Sequence, residues 1–246
     1  MDTSLTHPAL TALRTMPTRP APTTLFDPKS GTVSIGRHPE GNDAELALFE
    51  PTGAIPTRIT GVPGSGTTTL LDTLMAAEAG TDMVTSVLVD LAGPQTATAV
   101  PDRAADTTGN AIRLLTELQE LVLTRTRALA CDPTLGPFRP TAENPLITLT
   151  LVRLTLLIDA DPKIGHLLES ITPFARLAGL SLRAVDTPDA PPSGLLTRYF
   201  RGGNLVDLLA GRPGHRRDQV LPGMGLLTPQ FGDPHPFRAW PPLPSA

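Results

Sequence analysis

Apolar residues recur along this chain in two periods, and each period predicts a different element. Residues 83–91 and 180–185 are near-continuous apolar runs, which suits strands buried on both faces of a parallel sheet. Residues 146–151 predict another strand, and shorter ones are expected at 32–35, 44–49, 56–60 and 204–209, with Gly41-Asn42-Asp43 turning between the first two of these. Helical spacing appears at residues 67–79, where Leu70, Leu71, Leu74 and Met75 share a face and Gly80 is a stop signal. It appears again at 110–130, where Ala111, Leu115, Leu118, Val122 and Leu129 form one stripe with Leu114 and Leu121 beside it. Residues 164–178 predict a helix ending at Gly179, and 195–200 a short one. Residues 152–158 are open between strand and helix, because period alone does not decide a short apolar run. The alternation predicts an α/β fold, a mostly parallel sheet with helices on both faces.

The segments between these elements are rich in proline, which makes up 28 of 246 residues, about twice the usual share of ~5%. Residues 1–24 lack sustained periodicity and are expected to be disordered or a loosely attached arm. Residues 93–108 and 131–144 read as loops, and everything from 228 onward as an irregular proline-rich tail. A single domain is therefore expected over residues 25–227. The only lysines are Lys29 and Lys163, a bias that a GC-rich genome produces. The net charge of −4 argues against a surface that coats nucleic acid, though not against a local basic strip. One cysteine, Cys131, excludes an internal disulfide and a cysteine zinc site. The five histidines, His7, His38, His166, His215 and His235, show no metal-ligand spacing, and no metal site is predicted. No apolar stretch is long enough to span a membrane, the longest (145–158) being broken by Thr and Arg153; with no apolar signal segment visible, a cytoplasmic location is expected.

One stretch carries recognisable chemistry. Residues 61–69 read Gly-Val-Pro-Gly-Ser-Gly-Thr-Thr-Thr, the glycine frame of a phosphate-binding loop, G-x-x-x-x-G-K-[ST], between a predicted strand and a predicted helix. Gly61, Gly64, Ser65 and Gly66 keep the backbone part, in which N–H groups and the helix N-terminus converge on phosphate oxygens. Thr68 keeps the metal-binding hydroxyl. Thr67 stands where the lysine belongs, and removes its charge from the phosphates. Losing one partner of a desolvated charge pair costs roughly 2–5 kcal/mol.

With that loop in place, the chain from about residue 36 to about 234 resembles the FtsK/SpoIIIE group of DNA translocases, within the HerA/FtsK branch of RecA-like P-loop proteins and closest to the actinobacterial conjugative-transfer type. The resemblance rests on Ile35-Gly36-Arg37, on Glu45-Leu46-Ala47-Leu48, and on Val87-Leu88-Val89-Asp90 before Leu91-Ala92-Gly93. Further matches are Pro145-Leu146-Ile147-Thr148-Leu149-Thr150, Phe174-Ala175-Arg176-Leu177-Ala178-Gly179, and Arg201-Gly202-Gly203-Asn204. The resemblance implies ATP hydrolysis coupled to DNA pumping by a ring, and this chain departs from each catalytic motif. Ala92 stands at a lysine position and Val185-Asp186-Thr187 at an Ala-Thr-Gln sensor. The Walker B Asp-Glu pair falls in one alignment on Arg153-Leu154, and in another on Asp159-Ala160, which would leave Asp159 as a remnant.

These departures point to a catalytically inactive FtsK/SpoIIIE-like domain acting as a scaffold, assembly or regulatory subunit, in a ring with itself or a related translocase. Two alternatives stand beside it: a DNA-translocating ATPase with a non-standard lysine donor, Lys29 or Lys163, and a weak nucleotide sensor. No cofactor is expected beyond weak ATP or ADP with Mg²⁺. Arg198 and Arg201 are candidates for arginines reaching a neighbouring subunit's nucleotide, a role that the guanidinium suits. DNA is a candidate partner that the net charge does not favour. Asp159 and Asp161 form a carboxylate pair expected to be solvated, and Gly214-His215-Arg216-Arg217 is a small basic cluster expected to be so too.

Overall fold

The computed structural model describes residues 7–17, 19–93, 100–132, 138–189, 194–212 and 220–242. In chain order the elements begin with α1 (His7–Thr15), β1 (Phe26–Asp27), β2 (Thr32–Arg37), β3 (Asp43–Ala47), β4 (Phe49–Glu50), β5 (Gly53–Ala54), β6 (Thr57–Thr60) and α2 (Thr67–Ala79). There follow β7 (Val84–Val89), β8 (Arg103–Ala105), α3 (Thr108–Cys131), β9 (Leu146–Val152), α4 (Leu154–Ala160), α5 (Pro162–Ala175) and β10 (Leu180–Asp186). The chain continues with α6 (Gly194–Arg201), β11 (Asn204–Leu208), β12 (Met224–Thr228) and β13 (His235–Ala239).

Eleven strands form one mixed sheet in the order β1-β2-β13-β12-β11-β6-β10-β9-β7-β8, with β3 on β2. The six strands from β11 to β8 run parallel, and the strands on the other side of β11 pair antiparallel. The predicted α/β class and mostly parallel sheet are therefore present. Residues of β9 alternate between two cores: Ile147, Leu149 and Leu151 pack with α3, α4, α5 and α6, whereas Leu146 and Val152 pack with α2. Because both faces are covered, all seven residues of β9 and of β10 are buried, which is why both strands read as mostly apolar runs.

Helix α3 starts where the Thr107 side chain accepts a hydrogen bond from Asn110 N at 3.3 Å, and it buries the stripe Ala111, Leu114, Leu115, Leu118 and Val122. Helix α5 starts at Asp161, whose carboxylate accepts from Lys163 N at 2.8 Å. Asp161 is thus a helix cap and not half of an acid/base pair. The ambiguous stretch at 152–158 resolves as the end of β9 followed by α4.

Three expectations are corrected. The segment 1–24 contains helix α1, whose Leu10 and Leu13 are buried against Leu209, Met224 and Leu226. Nine residues carry too few apolar positions to show a period, and tertiary contact holds the helix. The stretch from 228 contains β13, with Phe237 fully buried. Its pairing with β2 is confined to Arg238 and Ala239, so Pro236 has no partner on that strand to disappoint. The loop at 93–108 contains β8, joined to β7 through Asp102, whose carboxylate accepts from Ser86 N at 2.7 Å. The basic cluster at 214–217 lies outside the described residues.

An ion pair lies at the centre of the fold. Arg183 on β10 and Glu78 on α2 are 1% and 0% exposed, and Arg183 Nη2 donates to Glu78 Oε1 while Nη1 donates to Thr150 Oγ1 at 3.1 Å. Removing one member of such a pair leaves the other charge buried and uncompensated. Arg183→Ala should therefore lower the unfolding free energy by about 3–5 kcal/mol. The double variant Arg183→Met, Glu78→Leu should recover most of that loss. Urea denaturation of the three proteins measures both effects.

Candidate functional site

Strand β6 ends at Thr60, and the glycine loop turns directly into α2 at Thr67. Gly64 and Gly66 take φ values of 83° and 103°, the left-handed region that side chains avoid. A Cβ on Gly66 would also lie 2.8 Å from Gly223 N. The loop is pinned on both sides: Gly61 N donates to Asp186 O at 3.1 Å, and Gly223 N donates to Ser65 O at 2.7 Å. Ser65 is fully buried, with Oγ 3.0 Å from Thr67 Oγ1. The hydroxyl of Thr67 is thus satisfied within the loop, and its short side chain carries no charge toward a phosphate. Thr68 is exposed at the start of the helix.

The loop forms one wall of a cleft of about 490 Å³. The opposite wall is the ends of β9 and β10: Val152 and Arg153, then Val185, Asp186 and Thr187. Strand β9 stops at Val152 and is followed directly by Arg153 and Leu154, the residues that the first of the two alignments sets at the Asp-Glu pair. The strand required by the second alignment is not formed, since Asp159 lies in α4 and is exposed to solvent. Arg153 has φ 57°, a left-handed conformation that costs a side-chain-bearing residue about 1–2 kcal/mol. Its backbone N donates to Val185 O at 2.6 Å, and its Nη2 donates to Asp90 Oδ1 at 2.8 Å. Asp90, 2% exposed at the end of β7, also accepts from Ala92 N at 3.1 Å.

Asp186 is the single carboxylate among the residues lining the cleft. It accepts hydrogen bonds from the backbone N–H groups of Thr155 and Leu154 and so closes the start of α4. Its Oδ2 is buried without a partner among the described residues. Burial pushes its pKa up to about 6, against the weaker pull of those N–H groups and of Arg58.

The structure thus brings together Gly61, Gly64, Gly66, Thr67 and Thr68 in one cleft, with Ser65 buried behind them. The other candidates lie elsewhere. Lys29 sits in the β1–β2 turn and Lys163 in the first turn of α5, and neither lines the cleft. Arg198 and Arg201 are exposed on α6, where Arg201 lines a separate cavity of about 520 Å³ with Arg58, Phe200 and Phe231. The pairing of Arg153 with Asp90 and the contact of Gly223 with the loop join residues 63 and 158 positions apart, and no local pattern announces either.

Magnesium fits these residues poorly. Thr68 offers its hydroxyl, but the carboxylate that would complete a site is replaced by an arginine. Among the described residues no group of three or more His, Cys, Asp or Glu is placed to hold a metal ion. The phosphate part fits better, because the glycine loop and the first residues of α2 line the cleft, although the N–H groups of Gly61 and Ser65 are bonded to Asp186 O and Val62 O.

The raised pKa of Asp186 predicts a specific pH dependence. The folded protein holds this proton more tightly than the unfolded chain. Its contribution therefore favours folding at low pH and is lost as pH rises from the ordinary 3.8 to about 6. Asp186→Asn should remove that loss and stabilise the protein at pH 7.5 by on the order of 2 kcal/mol. Urea midpoints of both proteins between pH 4 and 7.5 give the difference.

No family model matches the chain, and no curated protein matches it. Solved structures do. The pCW3 conjugation coupling protein TcpA has a TM-score of 0.69 at 15% identity, over 92% of this chain and 70% of that one. EssC (ATPases 2 and 3) from Geobacillus thermodenitrificans has 0.69 at 15%, over 94% and 48%. The cytoplasmic domain of the Type VII secretion ATPase EccC of Thermomonospora curvata has 0.66 at 13%, over 93% and 27%. The chain spans about a quarter of the EccC protein and about half of the EssC one. At these identities the likeness concerns architecture, and it is the RecA-like P-loop architecture that the resemblance to FtsK/SpoIIIE-type ATPases implies.

Proposed function

We propose that this chain is a catalytically inactive FtsK/SpoIIIE-like domain that serves as an assembly or regulatory subunit, its cleft keeping weak phosphate binding without turnover. The observation that carries this reading is Arg153 at the end of β9. Hydrolysis needs a metal-held phosphate and a polarised water there, and an arginine committed to Asp90 supplies neither. Thr67 removes the lysine from the facing wall, and neither Lys29 nor Lys163 lines the cleft to replace it.

Two of the similar structures suggest a setting. TcpA is a conjugation coupling protein, and EccC is a secretion ATPase. A role beside such a machine, in a ring with itself or with an active relative, suits a subunit that keeps the fold and drops the chemistry. Arg198 and Arg201, exposed on α6, are available to a neighbour in such a ring. The domain would lie in the cytoplasm, as the EccC and EssC domains named cytoplasmic do; no helix among the described residues is long and apolar enough to cross a membrane.

The test is ATP turnover by the purified chain with Mg²⁺, with and without double-stranded DNA. No phosphate release above background is expected, and Gly66→Asp should change nothing. DNA-stimulated hydrolysis abolished by Gly66→Asp would show a working motor and overturn the reading.

A further inference from the structure

Two changes in the cleft act together on its charge. Thr67 takes away a cation from the loop, and Arg153 puts one on the facing wall, where the resemblance calls for acids. Arg153 is anchored but not used up. Its side chain is 40% exposed, and of its five N–H donors only one, on Nη2, goes to Asp90. The planar guanidinium is built to take two oxygens of one phosphate at once.

The same wall does not gather a ligand set for a divalent metal: among the described residues no group of three or more His, Cys, Asp or Glu is placed to hold one, although Asp90 Oδ2 and Asp186 Oδ2 are each without a hydrogen-bond partner there. Asp90 is buried and held by Arg153 and by Ala92 N. Asp186 is 5% exposed; it accepts from the start of α4, and its Oδ2 has no partner among the described residues. A dication placed between Thr68 and the β9 end would face the Arg153 guanidinium, and like charges repel. An anion placed there meets the glycine loop, the positive end of α2 and Arg153, all of which line the cleft.

We propose that the cleft binds a polyphosphate anion without a divalent metal, Arg153 replacing both the missing lysine and the ion. This rests on the reading of an inactive cleft that still takes phosphate. The order of events also changes: the anion recruits an arginine that otherwise faces Asp90, so ligand binding and the end of β7 share one side chain.

Calorimetric titration of the full chain with inorganic pyrophosphate, first in EDTA and then with excess Mg²⁺, tests it. Binding is expected in EDTA and should weaken several-fold with Mg²⁺. Arg153→Gln alone leaves Asp90 buried and unpaired, so the informative variant is Arg153→Gln with Asp90→Asn, checked by its thermal melt. It should bind about 30-fold more weakly or worse. Arg153→Lys keeps the charge but not the two-oxygen contact, and should bind with a strength between those of the wild type and the double variant. A parallel titration with ATP separates the sources: tighter binding than pyrophosphate marks a nucleotide, equal binding a free polyphosphate, and both support the proposal. Binding seen only with Mg²⁺, or unchanged in the folded double variant, overturns this inference and leaves the inactive-subunit reading standing. No heat in either buffer overturns both this inference and the phosphate-binding part of that reading.

Discussion

The buried pair of Arg183 and Glu78 is the constraint that the rest of this structure serves. It sits between the sheet and the C-terminal turns of α2, the helix whose other end emerges from the glycine loop. Two charges of opposite sign withdrawn from water tolerate little movement, because separating them exposes each to an apolar core. The contact is singly bonded at the carboxylate: Glu78 Oε2 and Arg183 Nε have no partners among the described residues. Such a pair adds little net stability, because desolvation offsets much of its attraction, yet it fixes the position of α2 on the sheet and with it the position of the cleft.

Much of the parallel sheet was legible in the sequence for a plain physical reason. A strand buried on both faces is mostly apolar, and β7 and β9 announce themselves that way, whereas β10 carries the buried Arg183 and Ser181 among its apolar residues. The stripe of α3 was legible because 24 residues give several turns in which to show a period. Helix α1 and strand β13 were not, since each is short and held by residues far along the chain. The glycine loop was readable because its chemistry is local, whereas the wall facing it was not. Two registers of one motif competed there, and the end of β9 at Val152, with α4 beginning two residues later, is set by packing that no local pattern announces.

Changes that look separate in the sequence are one change in space. Thr67, Arg153 and Asp186 all line the same 490 Å³ of cleft. A lysine facing two acids makes a site suited to a cation-bridged phosphate. A threonine facing an arginine, with a carboxylate that titrates near pH 6, makes a site of different sign and different proton content. The inactivity proposed for this cleft would then be a redistribution of charge within an intact backbone. The fold tolerates it because the loop is held by backbone hydrogen bonds that do not depend on any of these side chains.

The strand that was read as tail has a mechanical meaning. Ala239 N donates to Gly223 O at 2.8 Å, and Gly223 N donates to Ser65 O at 2.7 Å, so two hydrogen bonds in series run from β13 to the middle of the glycine loop. Arg238 is tied at the same point to α1 through Met16 O at 3.2 Å. The position of the glycine loop therefore depends, through a short series of hydrogen bonds, on segments near both ends of the described residues.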